Sequence, residues 1–265
     1  MMIRVGLVIV LIAVLAATLG PVLTPYDPAS QELARRLEGP SLSHPFGLDE
    51  LGRDILSRLL SGARISLLVG LAVVTVSSLV GMALGSVAGY FGGVADDVIS
   101  RAVDVLMAFP GILLAIALVA VMGPSLTNVV IALSIIGWVG YARLVRSQAL
   151  RAREFEFVQA ARALGASAAR VVVRHVLPTA LPAVVVQATL GMAGAIIAEA
   201  ALSFLGLGVQ PPTPSWGTML DAGRSHLFDA PHLTVFPGLA IATLVLGFNF
   251  LGDGLRDRID PKLVK

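Results

Sequence analysis

The 265-residue sequence contains no cysteine and only two lysines, and 14% of its residues are charged. Without cysteine, neither a disulfide framework nor a thiolate metal site can form. The lysines are Lys262 and Lys265, so the sequence has no Gly-Lys-Ser or Gly-Lys-Thr phosphate-binding loop. It also lacks the His-Glu-x-x-His and Gly-x-Ser-x-Gly motifs of metalloproteases and serine hydrolases. If ATP drives this protein, another chain must hydrolyse it.

Histidine is scarce as well, and its four occurrences lack the spacing of metal ligands. We therefore expect no metal and no bound cofactor in this chain. The four residues are His44, His175, His226 and His232.

What the sequence has in abundance is apolar residues, which make up 56% of the chain and give a mean hydropathy of +0.87. This composition is far more apolar than that of an average soluble domain and predicts an integral membrane protein. The formal net charge is only +2, and the arginines lie between apolar runs rather than on a soluble basic face. Nucleic acid is therefore not an expected partner.

The apolar runs predict an all-α protein with six membrane-spanning helices. A cleaved signal peptide is the alternative for the first run, which we interpret as a retained span. In the third run, Pro110 predicts a kink or a break. Residues 91–101 are expected to form a turn. The six predicted spans cover residues 5–23, 65–90, 102–122, 128–144, 181–205 and 233–251.

This pattern divides the chain into four parts. Residues 1–24 hold the first helix, which Pro25 closes, and residues 25–64 form an external segment. Within that segment an amphipathic helix begins near Asp49, with apolar residues at helical spacing and Arg53, Asp54 and Arg58 turned away from them. Residues 65–252 form a five-helix core that includes a cytoplasmic loop at 148–180, and residues 253–265 form a polar tail.

The distribution of basic residues predicts that both termini are cytoplasmic. With the N-terminus inside, most arginines and both lysines fall on the cytoplasmic side, as the positive-inside tendency requires. A cluster of arginines before the second span is an exception, and its only evident compensation is the neighbouring carboxylates. The basic residues left outside are Arg35, Arg36, Arg53, Arg58, Arg64 and Arg224.

The loop at 148–180 is polar between two apolar runs and predicts two short helices. The first covers Phe157 to Leu164 and ends at Gly165, whose backbone tolerates the left-handed conformation of a helix end. Val158, Ala161 and Leu164 share one face of it. Ser167 is a candidate N-cap for a second helix over Ala168 to Val176, which Pro178 is expected to stop.

This loop resembles the "EAA" coupling loop of bacterial ABC import permeases, a helix-glycine-helix elbow that sits in a cleft of the ATPase. The resemblance rests on Gln159-Ala160-Ala161, Gly165 and Leu177-Pro178. Gln159 stands where the family usually has Glu, and His175 where an aliphatic residue is common. Three further blocks are similar to permeases of the dipeptide, oligopeptide and nickel import group. They cover residues 44–64, 199–217 and 249–261.

The resemblance implies the fold of a type I ABC importer permease in the bacterial cytoplasmic membrane. The implied partners are a homologous second permease chain, two ATP-binding subunits that hold ATP and Mg, and an extracytoplasmic substrate-binding protein. The residues implied in ATPase coupling are Gln159, Ala160, Ala161, Arg162, Gly165, Leu177 and Pro178. Position alone suggests Glu199, Ser215 and Trp216 for the translocation path or its outer mouth.

The predicted cargo is a dipeptide or oligopeptide, with nickel as the alternative within the same family. A second class of protein, the proton-coupled secondary transporter, remains an alternative. Such carriers keep ionisable groups within their spans, and Glu199 is the one clear carboxylate within a predicted span of this chain, apart from Asp104 at the very start of the third.

Overall fold

The computed structural model describes residues 2–24 and 26–259, which fold into helices joined by loops and turns of different lengths. The all-α prediction is confirmed. Pro25, the Asp260-Pro261 pair, Lys262 and Lys265 lie outside the described residues. The helices are α1 (Met2–Leu23), α2 (Ile55–Phe91), α3 (Gly93–Met107), α4 (Gly111–Met122), α5 (Leu126–Ala152), α6 (Glu156–Ala163), α7 (Ala168–Val171), α8 (Leu177–Phe204), α9 (Trp216–Gly223) and α10 (His232–Ile259).

Five of these helical stretches are long and apolar enough to cross a membrane, and a bent pair, α3 with α4, makes a sixth if it counts as one span. The five are α1, α2, α5, the run from Ala168 to Phe204 that contains α8, and α10. Observed helices extend beyond the predicted spans because they continue into polar residues at their ends, and hydropathy alone does not detect such residues as helical. The predicted turn at 91–101 is wrong, since only Gly92 separates α2 from α3.

The break predicted at Pro110 is confirmed, because α3 and α4 meet there at 86°. The α4 helix alone is about 18 Å long at 1.5 Å per residue, too short for a bilayer core of about 30 Å. However, Asp96 in α3 pairs with Arg146 near the end of α5, whereas Asn128 near the start of α5 bonds the Met122 and Gly123 carbonyls at 2.9 Å. The pair α3–α4 therefore covers most of the depth of α5, as one broken span would.

Three glycines of α2, four residues apart, allow close packing against α5. A methyl group added at Gly81, Gly85 or Gly89 would collide with the backbone of α5. Successive glycines meet successive turns of α5, so the two helices run parallel. Small residues thus let these two membrane helices approach closely.

The remaining contacts place both ends of the described chain on the same side as the 148–180 loop. Gly6 near the start of α1 lies against Leu251 in the last part of α10. At the other end of α1, Gly20 contacts Leu60 at the beginning of α2. Since α2 runs from that end toward the loop, the first and last helices also have their outer ends near the loop.

The external segment differs from its prediction. Its helix begins only at Ile55, as the first turn of α2, with Asp54 as N-cap accepting from the Ser57 amide at 2.8 Å. The charges expected to face away are buried, because Asp49 binds Arg53 at 2.7 Å and Arg58 at 3.3 Å. This pairing offsets part of the positive charge on this side of the membrane.

Candidate coupling site and the buried cluster at the opposite end

The bend between α6 and α7 is fixed by backbone hydrogen bonds around a left-handed glycine. Gly165 has φ +83° and its amide donates to the Arg162 carbonyl at 3.0 Å. The Ala166 amide donates to the Ala161 carbonyl at 3.0 Å, which completes a Schellman motif. The predicted end of the first helix at Gly165 is therefore confirmed.

The second half of the elbow differs from its prediction. Ser167 caps α7 as expected, since its Oγ accepts from the Arg170 amide. Pro178, however, does not stop the helix, which continues through a π-helical turn at Val172–Val176 into α8. Proline lacks an N–H and crowds the preceding turn, and a widened turn accommodates both defects. The elbow is thus continuous with a membrane helix.

A small apolar core holds the elbow against α5. Val158 of α6, Val171 of α7 and Val176 of the π turn are fully buried. They pack with Ala149 and Ala152 at the end of α5. Because these five side chains form one cluster, α6 cannot move far without moving α5 or the start of α8.

The opposite face of α6 exposes an apolar stripe. Phe157, Ala160 and Leu164 follow the i, i+3, i+7 spacing of one helix face, and all three are exposed. Leu164, which the sequence placed on one helix face with Val158, does not share its burial, because Leu164 is 88% exposed whereas Val158 is fully buried. An exposed apolar surface of this kind is typical of a protein–protein or membrane interaction site.

Sequence reasoning missed the aromatic part of this surface. Phe155 and Phe157 lie 5.5 Å apart by ring centroids and are about half exposed. The Phe-Glu-Phe pattern just before Gln159 was the available signal. Ala161 is partly buried against the core of the elbow, and its predicted contact with the ATPase stays a prediction.

The other predicted coupling residues surround this surface. Gln159 and Arg162 lie on the outside of the elbow, and the Gln159 side chain donates to the Glu154 carbonyl at 3.3 Å. Leu177 is half-buried against the cluster that contains Val145 and Ala180. The role of these residues in ATPase coupling, like that of Pro178, stays a prediction.

An ion pair near the elbow was also missed. Arg146 of α5 donates to both oxygens of Asp96 in α3, at 2.5 and 2.6 Å, and Ser100 donates to the same carboxylate. The two-pronged geometry is the strong form of an arginine-carboxylate pair. It ties the broken span to α5, and its partners are too far apart in the sequence for any local pattern to indicate it.

At the opposite end of the molecule, Glu199 of α8 is completely buried. Its carboxylate accepts from Ser203 at 2.7 Å and from Ser66 of α2 at 3.2 Å. Ser215, the N-cap of α9, also neighbours this carboxyl group. The cluster therefore joins α2, α8 and α9.

Trp216 lies next to this cluster and is buried as well. Its indole N–H donates to the Leu59 carbonyl at 2.9 Å, and its ring covers Gly62 of α2. The structure thus brings together Glu199, Ser215 and Trp216 in one packed region. A role for them in the translocation path stays a prediction.

Comparison with known families identifies two matching regions. Residues 81–265 match the family described as "binding-protein-dependent transport system inner membrane component". Residues 2–40 match the "N-terminal TM domain of oligopeptide transport permease C", which agrees with interpreting the first apolar run as a retained span.

Individual relatives extend the match over nearly the whole chain. The chain is 49% identical, over 98% of its length and 85% of the relative's, to a dipeptide transport system permease protein of Alkalihalophilus pseudofirmus. It is 48% identical, over 96% of its length and 85% of the relative's, to a glutathione transport system permease protein of Pectobacterium atrosepticum. Among solved structures, an amino acid ABC transporter chain aligns with a TM-score of 0.57 at 17% identity, covering 76% of this chain and 94% of that one. The last likeness concerns the fold alone.

Proposed function

Since this chain belongs to the family of inner membrane components of binding-protein-dependent transport systems, we propose that it forms half of the translocation path of an ATP-driven importer of short peptides. A homologous permease chain supplies the other half, and an external binding protein delivers the cargo. Two separate ATPase subunits bind ATP and Mg and hydrolyse the nucleotide. The elbow side of the membrane is the cytoplasm. The family assignment removes the basis for a proton-coupled carrier.

The observation that carries this proposal is the exposed apolar stripe on a rigidly attached elbow. Phe157, Ala160 and Leu164 would be covered by an ATPase subunit, with Arg162 at the edge of the contact. Displacement of α6 then acts on α5 through the buried Val158, and on α8 through the continuous helix after Ser167. Movement of these two spans opens and closes the path.

Two relatives support a peptide as the cargo. The names of the relatives from Alkalihalophilus pseudofirmus and Pectobacterium atrosepticum refer to dipeptide and glutathione, which are both short peptides. Identity near one half over almost the whole chain favours a related cargo, and we prefer peptide to the nickel alternative on this basis.

The first test is co-purification of the partner subunits with substituted elbows. We expect Ala160→Glu to abolish ATPase binding, because it places a charge in the centre of the apolar stripe, where the contact would have to desolvate it. Ala163→Glu is the matched control, since Ala163 is exposed on the same helix but outside the stripe. The measurement is the amount of ATPase and of second permease retained with the purified chain.

The outcomes of this experiment test the apolar stripe and the importer function separately. Retention of the ATPase by the wild type and by Ala163→Glu, with loss in Ala160→Glu, supports the coupling site. Equal retention in all three chains contradicts the stripe as the contact. A wild-type chain that purifies without either partner, when both are co-expressed, contradicts the importer itself.

A further inference from the structure

A cavity of about 270 Å³ lies between α2, α4, α5 and α8 and is open at one side, where Ile112 and Gly194 are exposed. It lies between the Glu199 cluster at one end and the elbow at the other. Its volume is just below the ~300–1,000 Å³ typical of small-molecule sites. None of the residues so far assigned to coupling or to the outer cluster lines it.

The cavity contains polar groups that lack good partners. Ser77 of α2 is 1% exposed, and its hydroxyl has no hydrogen-bond partner among the described residues. Among the described residues, the Tyr141 hydroxyl makes one long hydrogen bond of 3.4 Å, to the Gln187 carbonyl. The side chain of Gln187, half-buried, also lines the cavity. A buried polar group without a partner is costly, so a native protein retains one where something else satisfies it.

Glycines bring these groups to the cavity wall. The Ser77 hydroxyl lies directly against Gly137 of α5, where a larger residue would displace it. The Tyr141 hydroxyl lies against Gly191 of α8 in the same way, at 2.6 Å from where a Cβ would be. The placement therefore depends on contacts among three helices and is not a property of one exposed side chain.

The chemistry of the lining selects one class of ligand. The cavity offers two hydroxyl groups and one carboxamide, which together donate and accept hydrogen bonds. The side chains of the described residues that line it carry no charge. This set matches the N–H and C=O of a peptide bond and is indifferent to the charges of a peptide's side chains. A lipid chain would leave the same polar groups unsatisfied.

We propose that Ser77, Tyr141 and Gln187 form a transient binding site for the main-chain amide of the peptide as it passes along this chain's half of the translocation path. The inference rests on the proposed function. It adds the place in this chain where the cargo is held and the part of the peptide that is bound. Uncharged hydrogen bonds give weak binding, which suits a site from which the cargo must leave. Because α5 and α8 carry the elbow's motion, the site changes shape when the ATPase acts.

The test compares uptake of a dipeptide with uptake of its analogue methylated at the peptide nitrogen, using the assembled transporter in proteoliposomes. Methylation removes the amide donor that the site would bind. We expect Ser77→Ala and Gln187→Leu to lower dipeptide uptake about three- to tenfold each, the effect of losing one neutral hydrogen bond. They should lower uptake of the methylated analogue less. The quantity compared is the ratio of dipeptide uptake to analogue uptake, in each variant relative to the wild type. Any preference of the binding protein for one of the two peptides is the same in all variants and therefore cancels.

Ser78→Ala is the matched control, since Ser78 is the next residue of α2 and bonds its own helix at Thr75. ATPase activity of each purified complex reports assembly. If the wild type takes up the dipeptide but Ser77→Ala and Gln187→Leu leave the ratio of dipeptide uptake to analogue uptake unchanged, this inference alone is overturned. A wild type that takes up no peptide overturns the proposed function together with it.

The absence of native cysteine provides an independent readout. We expect a small thiol reagent to modify Gln187→Cys in the assembled transporter, because Gln187 lines the cavity and is only half-buried. Saturating dipeptide with binding protein and ATP should slow that modification. Ser78→Cys should react at a rate that peptide does not alter. If peptide leaves the Gln187→Cys rate unchanged, the cavity holds lipid or water only, and the inference is overturned.

Discussion

Gly165 shapes the elbow by backbone geometry alone. Its φ of +83° is the left-handed conformation that other residues adopt at a cost, yet a Cβ there would meet no atom within 4 Å. In the proposed coupling site Phe157 and Leu164 supply the contact surface, and the bend after α6 sets the angle at which they are presented. At the residue scale, the proposed coupling therefore depends on the backbone conformation of Gly165.

We predict that Gly165→Ala destabilises the elbow by about 1 kcal/mol, because it forces a Cβ-bearing residue into the left-handed region. Peptide uptake per ATP hydrolysed should fall, since the stripe on α6 then meets the ATPase at a less defined angle. The measurement is uptake and hydrolysis by the same reconstituted sample. Gly39→Ala is the control, because Gly39 also has open space but no positive φ. Equal behaviour of the two variants would contradict this account of Gly165.

At the scale of elements, the broken span is held by few contacts. The α3 helix is joined to α5 mainly through the Asp96–Arg146 pair, which is only partly exposed. The other half, α4, packs on α5 through small apolar side chains such as Ala115 and Val119. The angle between α3 and α4, which is 86°, can change at Pro110 if the Asp96–Arg146 ion pair breaks. The ion pair is therefore the element-level restraint on this part of the path.

We predict that Asp96→Asn and Arg146→Gln each lower thermal stability and uptake, because each leaves its partner's charge uncompensated. A partly exposed pair contributes about 1 kcal/mol or less. The exchanged pair, Asp96→Arg with Arg146→Asp, should recover part of the loss, and Ser100→Ala should have a small effect because it keeps the ion pair. The measurement is a melting curve and an uptake rate for each variant. No recovery in the exchanged pair would mean that the pair does not act as a restraint.

At the scale of the whole molecule, the contacts place the two polar regions of the chain at opposite ends of the helix bundle. The segment 26–54 lies at one end of the bundle, and the elbow at the other, together with the described start and end of the chain. The buried pairs of Asp49 with Arg53 and Arg58 reduce the conflict between the outer arginines and the positive-inside tendency. We propose that segment 26–54 lies outside the cell and the elbow in the cytoplasm.

This orientation predicts the labelling of single cysteines introduced into a chain that has none. Ser30→Cys should react with an impermeant thiol reagent added to intact spheroplasts, because Ser30 is exposed on the outer segment. Ser167→Cys, on the elbow, should react only in permeabilised cells that lack the ATPase subunits. The unsubstituted chain is the control for background labelling. The reverse pattern would invert the assigned orientation.

The sequence by itself determined the features that local rules govern. Apolar runs indicated the spans because each must be about as long as the bilayer is thick. Gly165, Ser167 and Pro110 indicated a helix end, a helix start and a break, since each acts through its own backbone or a hydrogen bond within its own turn. The family resemblance carried by the elbow and three further blocks indicated the broad function, because those residues lie in contiguous stretches of the chain.

Only the tertiary structure decided which distant side chains meet. Pro178 continues a helix because the preceding turn widens, and Arg53 is buried because Asp49 folds back to receive it. The Asp96–Arg146 pair and the cavity around Ser77 join different helices, so they depend on how far each helix is rotated and how deep it sits. Rotation and depth follow from the packing of all the spans together, and no single stretch of sequence specifies them.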